Sequence, residues 1–271
     1  FNLCYKKTLN SDVKLINNVI AYITRAKGKQ LRPSLCLLAA KISGELTPHT
    51  YKAAALIEMI HVATLVHDDV VDEAYIRRGW PSVNKIWKNK VSVLIGDFIF
   101  SKALSNMVEL KNFDALEILS STAERLSQGE ILQIEKSLKK EMTEKLYYQM
   151  ISDKTASLFS ASCEIGSITS NGDLIKRKAL KNFGEKLGIA FQIRDDLFDI
   201  LGSIDQIGKP VGFDVKKNML TLPLIHMFDN MNRNKKKVIS RKLFRYTSKK
   251  DYKSIRYLIE KYGGVDYAVT Q

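Results

Sequence analysis

The sequence predicts an all-α fold, a single helical bundle with its site between facing helices. Apolar residues recur at a period of about 3.6 almost everywhere, and the period-2 alternation of strands is scarce. Capping residues and glycines break the periodic runs at helix-sized intervals. No stretch reads as a linker, so residues 1–271 form one domain, and no sequence repeat appears beyond two acidic motifs.

Ser11 opens a helix carrying Val13, Ile16, Ile20 and Ile23, and Gly28 closes that region. Pro33 is placed to begin the next helix, through Leu38, because a first turn does not need its missing N–H. Thr47-Pro48 joins a cap to a first-turn proline and starts a helix through Ala55, Met59 and Val66. Residues 77–81 read as a loop by their Gly and Pro, and Ser82 caps a short helical piece with Trp87. Helices follow over 91–110, 113–138 and 142–166, Asn171-Gly172 marks a turn, and 173 to about 201 is one long helix. Gly184 and Gly188 inside it each cost about 1 kcal/mol against Ala, which points to close helix packing. Residues 204–213, with Gly208, Pro210 and Gly212, are the most loop-like stretch. Residues 218–230, 236–246 and 249–262 are helical, the last closed by Gly263-Gly264.

Hydrophobic residues at 45% and charged residues at 27% are ordinary for a soluble globular protein, and no uninterrupted apolar run matches a membrane span of ~20 residues. The formal charge of +14 would suit nucleic acid, anionic lipid or a polyphosphorylated small molecule. Much of the excess sits in 234–237 and at Lys249-Lys250, where solvated lysines on polar helix faces are the simplest account. No recognised nucleic-acid motif accompanies the charge, which argues against that partner; transient contact with a membrane surface stays open. Three cysteines without paired spacing fit a reducing compartment, and Cys36 and Cys163 read as small core residues. The opening Phe1-Asn-Leu is neither a signal nor a transit sequence, so the expected location is the cytoplasm, with an organelle as the alternative.

The stretch from Ile60 to Asp72 ends an apolar helical run with three carboxylates, Asp68, Asp69 and Asp72, in the pattern DDxxD. Asp68 and Asp72 share a face and Asp69 lies alongside. A lone cluster of this kind is usually a solvated face. The pattern returns, however, at Asp195, Asp196 and Asp199 within the apolar run 191–200, so that the two clusters read as opposite walls of one site. Oxygen-only ligands suit a hard cation such as magnesium, which is held by one or two carboxylates plus substrate phosphates. A phosphorylated substrate follows from that choice of ion.

Other motifs accompany them in order: Gly28-Lys-Gln-Leu-Arg-Pro33, Glu58 to Asp72, Arg77 to Asn84, Gly96-Asp97, Lys154 to Leu158, Phe191 to Asp199 and Gly208-Lys-Pro210. The ordered set resembles the trans-isoprenyl diphosphate synthases of the polyprenyl class, from Gly28 to about Gly264. That resemblance implies antiparallel helices around a deep central cavity, usually in a homodimer, with both acidic motifs holding several Mg²⁺ ions on an allylic diphosphate. Isopentenyl diphosphate then adds head-to-tail, and the released diphosphate takes the proton. By the same likeness Lys29, Arg32, His61 and Arg78 bind isopentenyl diphosphate, while Arg77, Lys154, Thr155, Gln192 and Lys209 lie near the allylic diphosphate. Lys154, Thr155 and Gln192 are the catalytic candidates, Thr155 and Gln192 by steadying the carbocation.

Taken singly, Lys29, Arg32, Arg77 and Arg78 would be surface charge, and His61, Trp80 and Trp87 packing. Asp97 reads as structural, a cap or the partner of a basic group. Product length in the family follows cavity depth. Ala63 and Thr64, the fifth and fourth residues before Asp68, stand where a short-chain farnesyl-type enzyme would place an aromatic, leaving Met107 as a deeper stop. The expected product is a long all-trans chain of hexaprenyl to decaprenyl size, suited to a quinone. The alternatives are a shorter geranylgeranyl or farnesyl synthase, a non-catalytic subunit of a heteromeric synthase or, in a different class, a basic helical nucleic-acid binder. The chain ends at Gln271, where family members continue through one or two more helices.

Overall fold

The computed structural model describes residues 1–26, 28–139, 141–202, 219–243 and 249–271, the side chains of 241–243 and 249–252 excepted. The described residues are helical apart from turns, short connections and one small hairpin. In order they are α1 (Asn2–Thr8), α2 (Lys14–Arg25), α3 (Leu31–Ser43), α4 (Pro48–Val71), β1 (Ile76–Arg77), β2 (Trp80–Pro81), α5 (Val83–Val108) and α6 (Phe113–Lys139). There follow α7 (Glu144–Ile151), a turn of π-helix (Ser152–Ala156), α8 (Ser157–Thr169), α9 (Leu174–Leu201), α10 (Leu222–Asp229), α11 (Arg233–Leu243), α12 (Lys249–Lys261) and α13 (Gly264–Thr270).

Contacts gather these elements into two compact units. One holds Phe1–Glu124 and Ser157–Glu185; the other holds Arg125–Ala156 and Lys186–Gln271. In the first, α4 packs on α5, α3 and α8, and α3 packs on α8. Ala53, Ala54, Ala55, Leu56, Ile57, Met59 and Ile60 on α4 are fully buried, so this helix is apolar on every side and occupies the core. Its start is fixed as the sequence predicts: Thr47 and Thr50 form a reciprocal capping box, with Pro48 in the first turn. Gly184 also behaves as expected, because a Cβ there would lie 2.6 Å from the carbonyl oxygen of Phe159 on α8.

The second unit has two apolar clusters. Tyr147, Met150 and Ile151 of α7 pack with Ile193 of α9, Leu222 and Ile225 of α10 and Ala268 of α13. Ile200 packs with Leu224, Met227 and Phe228 of α10 and with Ile255 and Ile259 of α12.

Four features differ from expectation. The loop at 77–81 contains a hairpin with Ile76 opposite Pro81 and Arg77 opposite Trp80. Arg78 and Gly79 turn it with φ of 53° and 78°, the paired positive angles that a tight two-residue hairpin requires. The short helix after Ser82 runs into the next one across a kink at Lys88, φ 68° and ψ 164°, which moves the start of α5 back from 91 to 83. The helix expected over 142–166 is interrupted by the π turn, which periodicity does not register. Beyond Gly263 the chain makes a further helix, α13, whose Ala268 is buried. α5 is also long and apolar enough by composition to cross a bilayer; Ile95, Ile99, Ala103 and Met107 on it are nevertheless buried against α4 and the core.

Candidate active site

The first acidic motif closes α4 and the second lies at the end of α9. Both sit where the helix macrodipole disfavours negative charge, by about 0.3–1 kcal/mol for each carboxylate. In both, the second Asp is the one turned inward. Asp69 is 3% exposed and its Oδ1 accepts from Arg77 twice, at 2.8 Å from Nε and 2.6 Å from Nη2. The Asp69 carbonyl accepts from the buried Asn84 amide at 2.9 Å, which ties the end of α4 to the start of α5. Asp68 and Asp72, one turn apart, are only half-buried.

Around this motif the first unit collects most of the basic candidates. Arg32 on α3 reaches His61 on α4 at 3.2 Å between Nη1 and Nε2, and its guanidinium lies 4.6 Å over the Phe159 ring. Arginine only donates, so Nε2 accepts and the imidazole is neutral, its proton on Nδ1. Burial, then the charges of Arg32, Arg78 and Arg77, hold the His61 pKa well below its ordinary value. Arg78 donates to the Ala26 carbonyl at 3.0 Å and covers Gly28, where a Cβ would collide with it. Lys29 is exposed beside it. Glu58, one turn before His61 and 5% exposed, has an oxygen without a hydrogen-bond partner among the described residues. Burial pushes its pKa to about 7 against the pull of Arg32 and Arg78. A cavity of about 150 Å³ lies against Glu58, Asp69, Arg77 and Arg78, with Tyr22 and Trp80 on its apolar side.

In the second unit a continuous chain of hydrogen bonds runs through the second motif. Thr155 Oγ1 donates to Gln192 Oε1 at 2.7 Å, Gln192 Nε2 donates to Asp196 Oδ1 at 2.8 Å, and the Tyr147 hydroxyl donates to Asp196 Oδ2 at 2.7 Å. Asp196 is 5% exposed. Burial raises its pKa to about 7 although the bonds from Tyr147 and Gln192 oppose this; the charges of Asp195 and Asp199 add to the rise. Lys154 pairs with Glu130 and donates to Gln133 Oε1 at 3.0 Å. The π turn holds Lys154 and Thr155 together, and both line a cavity of about 90 Å³ with Gln133, Gln192, Asp196 and Thr221. Asp195 is exposed, 3.2 Å from Arg194.

Lys209 lies outside the described residues. Ala63 and Met107 are fully buried, and Thr64 uses its hydroxyl on the His61 carbonyl at 2.8 Å. Asp97 pairs with His67 at 3.3 Å, the structural role read from the sequence. Tyr147, Gln133, Glu130 and Thr221 carry no sequence signal beyond helical apolar spacing around them. Glu58 had one: an acid inside the alanine-rich buried run that precedes His61.

Among the described residues no three His, Cys, Asp or Glu side chains converge as a ready-made metal site. The oxygen-only set with one inward and two outward carboxylates per motif instead fits divalent ions that arrive with a diphosphate, whose oxygens complete the coordination.

The model of the polyprenyl synthetase family matches residues 13–262. The chain belongs to the polyprenyl synthetase family. Among its polyprenyl synthetase relatives, an all-trans-nonaprenyl-diphosphate synthase (geranyl-diphosphate specific) of Rhodobacter capsulatus is 39% identical over 236 residues, 87% of this chain and 72% of the relative. The octaprenyl diphosphate synthase of Escherichia coli is 41% identical over 225 residues, 83% of this chain and 70% of that one. A crystal structure of polyprenyl synthase from Caulobacter crescentus, complexed with calcium and isoprenyl diphosphate, matches with a TM-score of 0.91 at 36% identity, over 99% of this chain and 82% of that one. That likeness bears out the all-helical isoprenoid synthase fold and the family's use of a divalent metal.

Proposed function

We propose that the protein lengthens an allylic diphosphate by sequential head-to-tail condensation with isopentenyl diphosphate, with magnesium ions, and releases a long-chain all-trans polyprenyl diphosphate suited to a quinone side chain. The observation that carries this reading is the convergence of Lys154, Thr155, Gln192 and Asp196 on one cavity of the second unit. Divalent ions, when bound, neutralise the departing diphosphate and lower the barrier to breaking the allylic C–O bond. Lys154, held by Glu130 and Gln133, adds a fixed cation for phosphate oxygens. Thr155 Oγ1 and Gln192 Oε1, 2.7 Å apart, bring two oxygen dipoles to one place, where they stabilise positive charge developing on the allylic carbon. As the C–O bond breaks, C1 of the allylic unit bonds to C4 of isopentenyl diphosphate, and the charge left on C3 is discharged when C2 loses a proton to the released diphosphate, which makes the C2=C3 double bond of the next allylic unit. No protein nucleophile is needed. Lys29, Arg32 and Arg78 provide cations for the isopentenyl diphosphate, and neutral His61 offers its Nδ1–H. Each acidic triad, Asp68, Asp69 and Asp72 in one unit and Asp195, Asp196 and Asp199 in the other, offers oxygen ligands suited to divalent ions that arrive with a diphosphate.

The names of the nonaprenyl and octaprenyl relatives support the long product, as does small Ala63 in place of an aromatic. Exposed Ile86, Val93, Leu94 and Val108 along α5 support a homodimer. Three free cysteines support work in the reducing cytoplasm. The test incubates the protein with isopentenyl diphosphate, Mg²⁺ and, separately, geranyl, farnesyl and geranylgeranyl diphosphates, and sizes the products by chromatography. Products of hexaprenyl to decaprenyl length are expected, and failure to extend any primer would overturn the reading. Ala63→Phe should shorten the product while Mg²⁺-dependent condensation continues; unchanged length would remove Ala63 from the length-setting role.

A further inference from the structure

The basic charge of this chain is local. The 21 residues from Asn230 to Lys250 hold nine Lys and Arg and no Asp or Glu, so they account for nine of the fourteen net charges, and elsewhere basic residues exceed acidic ones by five. A chain-wide lysine habit would spread the excess; it does not explain this block. Of this block residues 230–243 and 249–250 are described, and Arg233–Leu243 form α11.

Its construction runs against helix stability. Asn232 caps the helix, its Oδ1 accepting from the Lys235 backbone at 2.9 Å. The first turn then carries Arg233, Lys235 and Lys236, at the end where the macrodipole disfavours cations by about 0.3–1 kcal/mol each. Among the described residues only Lys236 of these three pairs with a carboxylate, Asp229 at 3.4 Å, an exposed pair of little net worth. Ile239 packs on the cluster of Phe228, Met231 and Ile255, which fixes the helix on the second unit. Arg233, Lys235 and Lys237 are all exposed. Val238, 55% exposed, stands beside them and one turn from Arg241 and Lys242 in sequence.

We propose that α11 is a membrane-docking face that binds anionic lipid headgroups. Cations on a short helix with an uncovered apolar residue among them form the pattern of an interfacial helix: the cations meet lipid phosphates and the apolar side chain enters the headgroup boundary. Val238 separates this partner from nucleic acid, whose phosphate backbone rewards the cations and leaves an exposed valine in water. A surface of this kind places the enzyme where an apolar product of the reaction proposed above partitions. The charge argument does not depend on that reaction.

The test is co-sedimentation of the substrate-free protein with vesicles of phosphatidylcholine alone or with about one third phosphatidylglycerol, at 50 and 500 mM salt. Binding is expected to the anionic vesicles at low salt and not at high salt or to neutral vesicles. The triple variant Arg233→Gln, Lys235→Gln, Lys237→Gln should lose about a hundredfold in partitioning, with unchanged soluble turnover. Val238→Ser should weaken lipid binding and leave affinity for a DNA duplex of equal phosphate concentration unaltered. Equal binding to both vesicle types, an unaffected triple variant, or DNA outcompeting anionic vesicles would each overturn the proposal. Turnover and vesicle binding are read separately, so a failed condensation assay leaves this result standing.

Discussion

Asp69 and Asp68 are neighbours with opposite duties. Asp69 is buried and bound twice by Arg77, so Asp69→Asn should cost about 3 kcal/mol of stability, read as a lower denaturant midpoint, because it strands the guanidinium. Half-buried Asp68 is expected to tolerate Asn within about 0.5 kcal/mol while the condensation rate falls on the order of a hundredfold. Equal stability losses in the two variants would remove the distinction. Glu58 supplies a pH signature. Its folded pKa of about 7 lies above the ordinary 4.5. Between those values the folded protein therefore holds more protons than the unfolded chain, and stability falls as pH rises. The contribution is full below about pH 4.5 and lost by about pH 7, roughly 3 kcal/mol at most. In metal-free urea titrations the difference between Glu58→Gln and the parent should grow in the variant's favour across that window. The spacing DDxxD made all six aspartates legible in the sequence, but not which of each triad turns inward, because that depends on Arg77 and Tyr147, partners outside the motif.

At the scale of elements, Gly184 sets two effects against each other. Alanine there would gain about 1 kcal/mol of helix propensity. Its Cβ would meet the Phe159 carbonyl oxygen at 2.6 Å and the Ser160 Cα at 2.8 Å, backbone atoms that do not give way, and overpacking of this kind costs about 1–3 kcal/mol. Gly184→Ala should accordingly lower the melting temperature; a rise would mean that α8 and α9 shift apart freely. Helix positions were legible to within a few residues wherever a cap chemistry stood at the boundary, as at Thr47-Pro48. The hairpin at 76–81 escaped because two residues per strand show no alternation, and α13 because Gly263-Gly264 reads as an ending.

For the molecule as a whole, the prediction concerns ligands that act jointly. No described cluster binds a metal by itself, so Mg²⁺ alone or pyrophosphate alone should move the thermal midpoint little. Both together, at about 100 times the dissociation constant, should stabilise the fold by about 2.7 kcal/mol. A full shift with Mg²⁺ alone would contradict ions shared with phosphate. The ordered motifs disclosed the family and its helical architecture because each is a local string. The division into two units was not legible: two of its boundaries, Glu124 to Arg125 and Glu185 to Lys186, fall inside unbroken helices, and Gly184 beside the second reads from sequence as close helix packing rather than as a linker.

The widened turn at 152–156 has a consequence for how the chain is wound. It accommodates one residue more than an ordinary turn, so the faces before and after it are out of phase by about 100°. The lysine and threonine within it are thereby turned toward α6 and α9, where Glu130, Gln133 and Gln192 receive them.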